Sequence, residues 1–241
     1  MRVYQAIVSV DLKNVRRDPL LPWAAAVPLF VALVLRAGVP PLADWLRASA
    51  GLDPDRYHAL LMSFLVMIAP SMVGMVIGFL LLDERDEQIL AALQATPLSL
   101  RTYLSYRVGA PLILGLAITL IAYPVAGLAP VHVPDLLAAA LLAAFNGPIT
   151  ALFLAGFAEN KVSGLALVKV LNSLNVLPVV AYFVEMPWQL AAGVIPAYWP
   201  MKALWSAAAG QGYLHIAVAG FGVNVTALLL LARRLNRKRL R

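Results

Sequence analysis

Few residues in this chain could do bond-making chemistry, and they are scattered. Its three histidines, His58, His132 and His215, lie far apart and show none of the H-E-x-x-H type spacing that places two imidazoles on one metal. Cysteine is absent, which removes disulfide frameworks and thiolate metal sites. Neither a G-x-x-x-x-G-K-[ST] motif nor any glycine followed directly by lysine occurs, so the chain cannot build a P-loop. The acids Asp44, Asp53, Asp55, Asp135 and Glu185 fall in connecting segments, where solvated charge is the default. No catalytic, cofactor-binding or metal-binding residue is assigned. Two other sets of polar residues have spacing that carries information.

The first set opens the segment LLDERDEQILAALQATPLSLRTYLSYR, which runs from Leu81. Asp83, Glu84, Asp86 and Glu87, with Arg85 among them, precede the strong helix formers Gln88 to Gln94, and acids suit the positive end of a helix dipole. Thr96 and Pro97 end such a helix, and Ser99 can cap the next. Over 83–98 the pattern predicts a short helix at the membrane face, its first turn charged and its later part carrying Ile89, Leu90 and Leu93. That stripe suits docking into a groove on another protein, and equally suits leucines dipping into the lipid interface.

The second set lies inside apolar segments. Asn172 and Asn175 are one helical step apart, and Lys169 adds a third member at the same spacing. Polar groups at membrane depth must face a partner or water, so this face points into a helix bundle or a seam between chains. It reads either as the lining of a substrate path or as helix-to-helix hydrogen bonding with Lys169 snorkelling to the surface. Met62, Met67, Met72 and Met75 share another segment with Gly74 and Gly78. Flexible thioethers adapt to varied apolar ligands, although methionine is also an ordinary membrane residue. The glycine pair reads as a place where two helices approach closely.

Composition fixes what must position these residues. Of 241 residues, 62% are hydrophobic and 13% charged, about half the charged share of an ordinary soluble domain. Mean hydropathy is +0.82. Six charge-poor segments are each long enough to cross about 30 Å of hydrocarbon as a helix: Leu20 to Val39, His58 to Leu82, Arg107 to Leu128, Pro134 to Phe157, Val162 to Val184, and Tyr213 to Ala232. The predicted fold is an all-α integral membrane bundle, a single domain over 1–241. Met1 to Asp18 is no secretory signal, because polar residues interrupt it throughout. It reads as an amphipathic interfacial helix, with Tyr4, Ile7, Val8, Leu12 and Val15 on one arc and Arg2, Gln5, Ser9, Lys13 and Arg16 opposite, or as a solvated helical end before the first span.

A seventh apolar stretch, Met186 to Met201, is too short to span and is broken by Pro187, Pro196 and Pro200. Its Trp188, Tyr198 and Trp199 suit a membrane interface, so 186–205 reads as a re-entrant or surface-lying element. With both ends cytoplasmic, the outer loops hold only Arg36, Arg47, Arg56 and Lys202 of the 19 basic residues, and the tail 233–241 lies inside. A seventh span would put that basic tail outside, against the positive-inside rule. The net charge of +7 therefore belongs to a membrane face, with lipid as its partner and no nucleic acid.

The acidic turn, ILAAL, ATPLS and the aromatic and basic run into the third span together resemble the cytoplasmic signature of ABC type-2 transporter permeases. IPAYWPMKALW, from Ile195 to Trp205, resembles that family's re-entrant segment, and the likeness covers essentially the whole chain. The wording LLDERDEQILAAL is most similar to permeases of bacterial fluoroquinolone exporters. The resemblance implies a coupling helix between spans two and three that contacts a separate ABC ATPase, through Asp83, Glu84, Arg85, Asp86, Glu87, Ile89, Leu90, Leu93, Thr96 and Pro97. Glu159 and Lys161 would add a smaller contact there, or simply form a polar hairpin turn. It further implies ATP and magnesium on the partner subunit, a second permease that is identical or related, and a multi-pass place in the bacterial inner membrane. Met72, Met75, Asn172 and Asn175 are the candidate path for a drug-like or lipid-like amphipathic substrate. A stand-alone secondary transporter or channel is the alternative, disfavoured because no Asp or Glu lies well inside a span to carry a coupling ion.

Overall fold

The computed structural model describes residues 20–87 and 100–239, which are helical with short connections and contain no strand. The expected interfacial helix over Met1 to Asp18, and Ile89, Leu90, Leu93, Thr96, Pro97 and Ser99 of the expected coupling segment, lie outside the described residues. Among the described residues eight α-helices follow in order: α1 (Leu20–Ala50), α2 (His58–Asp86), α3 (Leu100–Ala126), α4 (Val133–Ala144), α5 (Asn146–Phe157), α6 (Lys161–Tyr182), α7 (Tyr198–Ala208) and α8 (Leu214–Arg239). Among the described residues six stretches are long and apolar enough to cross a membrane, α4 and α5 together forming one of them.

Several helices outrun the apolar segments that announce them. At 1.5 Å per residue α1 is about 46 Å long, and it continues through Pro40 and Pro41, where the sequence suggested a stop at Val39. Its far end is tied down by Arg47, which pairs with Asp44 at 2.7 Å and with Asp55 at 2.5 Å in the turn that follows. α8 likewise continues as helix past Ala232 through Arg233 and Arg234. Burial identifies the centre of the bundle. α2 and the α4–α5 pair are mostly enclosed, while α1, α6 and α8 show large apolar side chains such as Trp23, Val162 and Val218 to their surroundings.

Helices in lipid gain little from burying apolar surface against each other, so close packing must hold them, and small residues permit it. The predicted glycine pair does this on α2. A Cβ on Gly74 would overlap the Gly147 carbonyl of α5, and one on Gly78 would come 2.6 Å from a Leu154 methyl. On α4 the small side chains Ala139 and Ala143 are buried in the same core as Tyr198, Met201 and Leu204 of α7.

Two local features interrupt the long helices of the bundle. The fourth span is broken at Phe145, between α4 and α5. Pro148 has no N–H to give the Ala144 carbonyl four residues back, and its ring crowds that carbonyl, which loosens the helix at this turn. In the stretch before the last span a 3₁₀ turn at Trp188–Val194 precedes α7, which is too short to cross a membrane and packs into the core. Tyr198, expected at an interface, is instead 1% exposed, whereas Trp188 faces outward and the Trp199 indole closes the turn by donating to the Gly193 carbonyl at 2.9 Å.

Candidate functional site

A half-open groove of about 280 Å3 lies between α2 and α6. From α2 come Phe64, Met67, Ile68, Ser71, Met72 and Met75, which recur at helical spacing along one face. From α6 come Val168, Leu171, Asn172, Asn175 and Val176, while Thr150 of α5 and Met201 of α7 complete the lining. Met72, Met75, Asn172 and Asn175, chosen from the sequence, are thus brought around one space. Met62 and Lys169 are not: Met62 is buried in the core, and Lys169 is exposed on α6 with its carbonyl accepting from Ser173 at 3.0 Å.

The groove's polar side is richer than the sequence reading suggested. Ser71 Oγ donates to the Met67 carbonyl at 2.7 Å and accepts from Asn146 Nδ2 at 2.6 Å. Asn146 begins α5 at the break in the fourth span, and Thr150, one turn later, is buried and lines the groove. The signal that could have found these residues is the triplet Asn146-Gly147-Pro148. That is turn composition in the middle of an apolar run, where a freed polar group needs a neighbour to satisfy it. The result is a mainly apolar slot with a few placed amide and hydroxyl groups, the general make-up of a site for an amphipathic small molecule.

The second region is the charged end of α2. Asp83, Glu84, Arg85 and Asp86 form its last turn and Glu87 its C-cap, so α2 runs past Leu82, where the sequence reading ended the second span. Carboxylates at the negative end of a helix dipole are unfavourable by themselves, and partners from other elements offset this. Glu84 accepts from Arg107 Nη2 and from the Tyr103 hydroxyl, both on α3. Arg107 Nε also donates to Tyr103 Oη at 3.3 Å, and the guanidinium lies 5.5 Å and 5.9 Å from the Tyr103 and Tyr106 ring centres.

On the opposite side Arg85 donates to the carbonyls of Ala158, at 2.9 Å, and Glu159, and Lys161 pairs with Asp83 at 2.8 Å. Asn160 starts α6 with a capping box, its Oδ1 accepting from the Ser163 N–H at 2.9 Å. Glu159 and Lys161 therefore belong to a hairpin turn bound to α2. Of the acidic set, Asp86 and Glu87 are exposed, while Asp83 and Glu84 are engaged within the chain.

A family model of fluoroquinolone export permeases, the Rv2686c-like family, matches residues 11–232. The chain belongs to this family. Two relatives from Mycobacterium tuberculosis, the fluoroquinolones export permease proteins Rv2686c of strain H37Rv and MT2760 of strain CDC 1551, are each 29% identical over 240 residues. That alignment covers 98% of this chain and 95% of theirs. No solved structure matches. Family membership and six apolar helices make the chain a multi-pass membrane protein and a transport permease.

Proposed function

We propose that the chain is the permease subunit of an ATP-driven exporter, and that the groove between α2 and α6 forms part of the path of a drug-like or lipid-like amphipathic substrate. The observation that carries this reading is the convergence of Met72, Met75, Asn172 and Asn175 on one mainly apolar slot, in a chain whose family is named for fluoroquinolone export. Thioethers accommodate flat apolar rings of differing shape, and the amides and Thr150 offer donors and acceptors to a carbonyl or carboxyl edge. A fluoroquinolone combines those two features.

ATP and magnesium are bound by a separate ABC ATPase, which the exposed Asp86 and Glu87 and the segment carrying Ile89, Leu90, Leu93, Thr96 and Pro97 contact from the cytoplasm. Two permeases, identical or related, face each other in the bacterial inner membrane, with all chain ends inside. Co-expression with a candidate ABC ATPase from the same organism, followed by uptake of a fluorescent fluoroquinolone into inverted vesicles, tests this. ATP-dependent accumulation that needs both proteins is expected. Accumulation without ATP, driven by a proton or sodium gradient, would overturn it.

A further inference from the structure

The segment 88–99 leaves α2 at Glu87 and returns at Leu100, so whatever acts on it pulls on the ends of two helices at once. Those two ends are joined by an unusual bond. The side chain of Arg107 is 4% exposed and that of Glu84 is 14% exposed, so the pair is almost entirely removed from water. A solvated surface pair would contribute little and could slip. A buried pair resists slipping, because drawing the two desolvated charges apart weakens their attraction with no water to compensate.

Its geometry is also fixed in direction. Both Glu84 carboxylate oxygens are occupied, one by Arg107 and one by Tyr103, and Arg107 itself reaches Tyr103, closing a three-membered ring of hydrogen bonds between α2 and α3. The neighbouring residue, Arg85, points the other way, to the carbonyls of the α5–α6 turn. The last turn of α2 is therefore clamped on two sides within four residues.

We propose that the buried Glu84–Arg107 pair makes the ends of α2 and α3 a single lever, so that load arriving on segment 88–99 moves both helices together and, through Arg85, the α5–α6 turn. Glu84 and Arg107 are positioning residues in this role and touch neither cargo nor nucleotide. The inference rests on the ATP-driven reading above. Without the pair, the same load would be dissipated by shear between α2 and α3, and the groove, whose wall is α2, would not follow the ATPase.

The absence of cysteine gives a clean test, since E84C/R107C would hold the only two thiols of the permease. The complete exporter, permease with its ATPase in proteoliposomes, is assayed for substrate moved per ATP hydrolysed. In E84Q, and in reduced E84C/R107C, that ratio is expected to fall about tenfold, the scale of a lost coupling energy, while the complexes that do assemble still hydrolyse ATP. Bridging the two thiols with a short bifunctional reagent restores most of the loss.

A merely structural pair would lower the amount of folded complex and leave the ratio per complex unchanged, which overturns the proposal. So does a bridged form that hydrolyses ATP but cannot transport, because the pair would then have to open in each cycle. Should E84Q fail to assemble, the bridged cysteine complex, measured before and after reduction, carries the same two outcomes. Export that proceeds without ATP defeats the exporter reading itself, whereas ATP-dependent export with an unchanged ratio defeats only the lever.

Discussion

Asn146 Nδ2 donates to the Ser71 hydroxyl at 2.6 Å, joining the break in the fourth span to the middle of α2. Both residues lie where Gly74 and Gly147 bring the two backbones into contact, so this bond sits at the tightest seam of the bundle. Interhelical hydrogen bonds in membranes contribute about 0.6 kcal/mol on average and up to about 1.7. The near-complete burial of Asn146 argues for the upper part of that range. A double-mutant cycle with N146A and S71A, read from unfolding midpoints in detergent, should give a coupling energy of about 1 kcal/mol. A coupling indistinguishable from zero would mean the seam is held by backbone packing alone.

Glycine substitutions should change sign with position. In a helix interior Gly→Ala is ordinarily favourable by about 0.5–1 kcal/mol, and Gly222 of α8 has open space where a Cβ would go. G222A should therefore be neutral or stabilising. At Gly74 the same methyl meets the Gly147 carbonyl, a backbone group that cannot rotate away, so G74A is expected to cost about 1–3 kcal/mol. G78A should be milder, because its nearest obstacle is a Leu154 methyl that can move. Thermal unfolding of the three purified variants ranks them, and equal midpoints for G74A and G222A would refute the packing claim.

Six apolar runs, the clumped charge and the Trp/Pro-rich stretch made the bundle readable, because membrane helices must satisfy their own backbone and so leave long, unmistakable segments. The groove was half readable: Asn172 and Asn175 stood out as polar residues in an apolar span, whereas Ser71 and Thr150 are too ordinary to notice without their partner Asn146. That α2 runs on through the acidic turn was not readable for a different reason. Asp83 to Glu87 and the residues after them are all tolerated in helices, so local propensity cannot say whether they end one helix or begin another. Arg107 and Lys161 pair with Glu84 and Asp83 in the last turn of α2, and the sequence alone does not show that those cations lie alongside.

Replacing both groove amides should separate transport from assembly. Asn172 and Asn175 line the slot from α6, a helix that is mostly unburied, and neither has a hydrogen bond to a described residue of another helix on which folding would depend. N172L/N175L is expected to assemble normally and to shift substrate preference towards less polar compounds. Losing one discriminating hydrogen bond changes selectivity by about 1 kcal/mol or more, which is roughly fivefold or greater. Competition between a zwitterionic and an uncharged fluoroquinolone analogue measures this. Unchanged selectivity would return these amides to a packing role.

The two ion pairs at the foot of α2 should differ sharply in value although they are one residue apart. Lys161 and Asp83 are 50% and 35% exposed, so water and salt screen them, and such pairs contribute about 0–1 kcal/mol. D83N should barely move the unfolding midpoint, and what effect it has should vanish in high salt. Arg107 and Glu84 are shielded, and removing one partner strands a buried charge at a cost of about 3–5 kcal/mol. R107Q should therefore destabilise strongly and at every ionic strength, by several degrees in a protein of this size. If D83N and R107Q showed equal losses with equal salt dependence, Arg107 would have to be solvated in the membrane-embedded protein, and its tie to Glu84 would be no stronger than a surface contact.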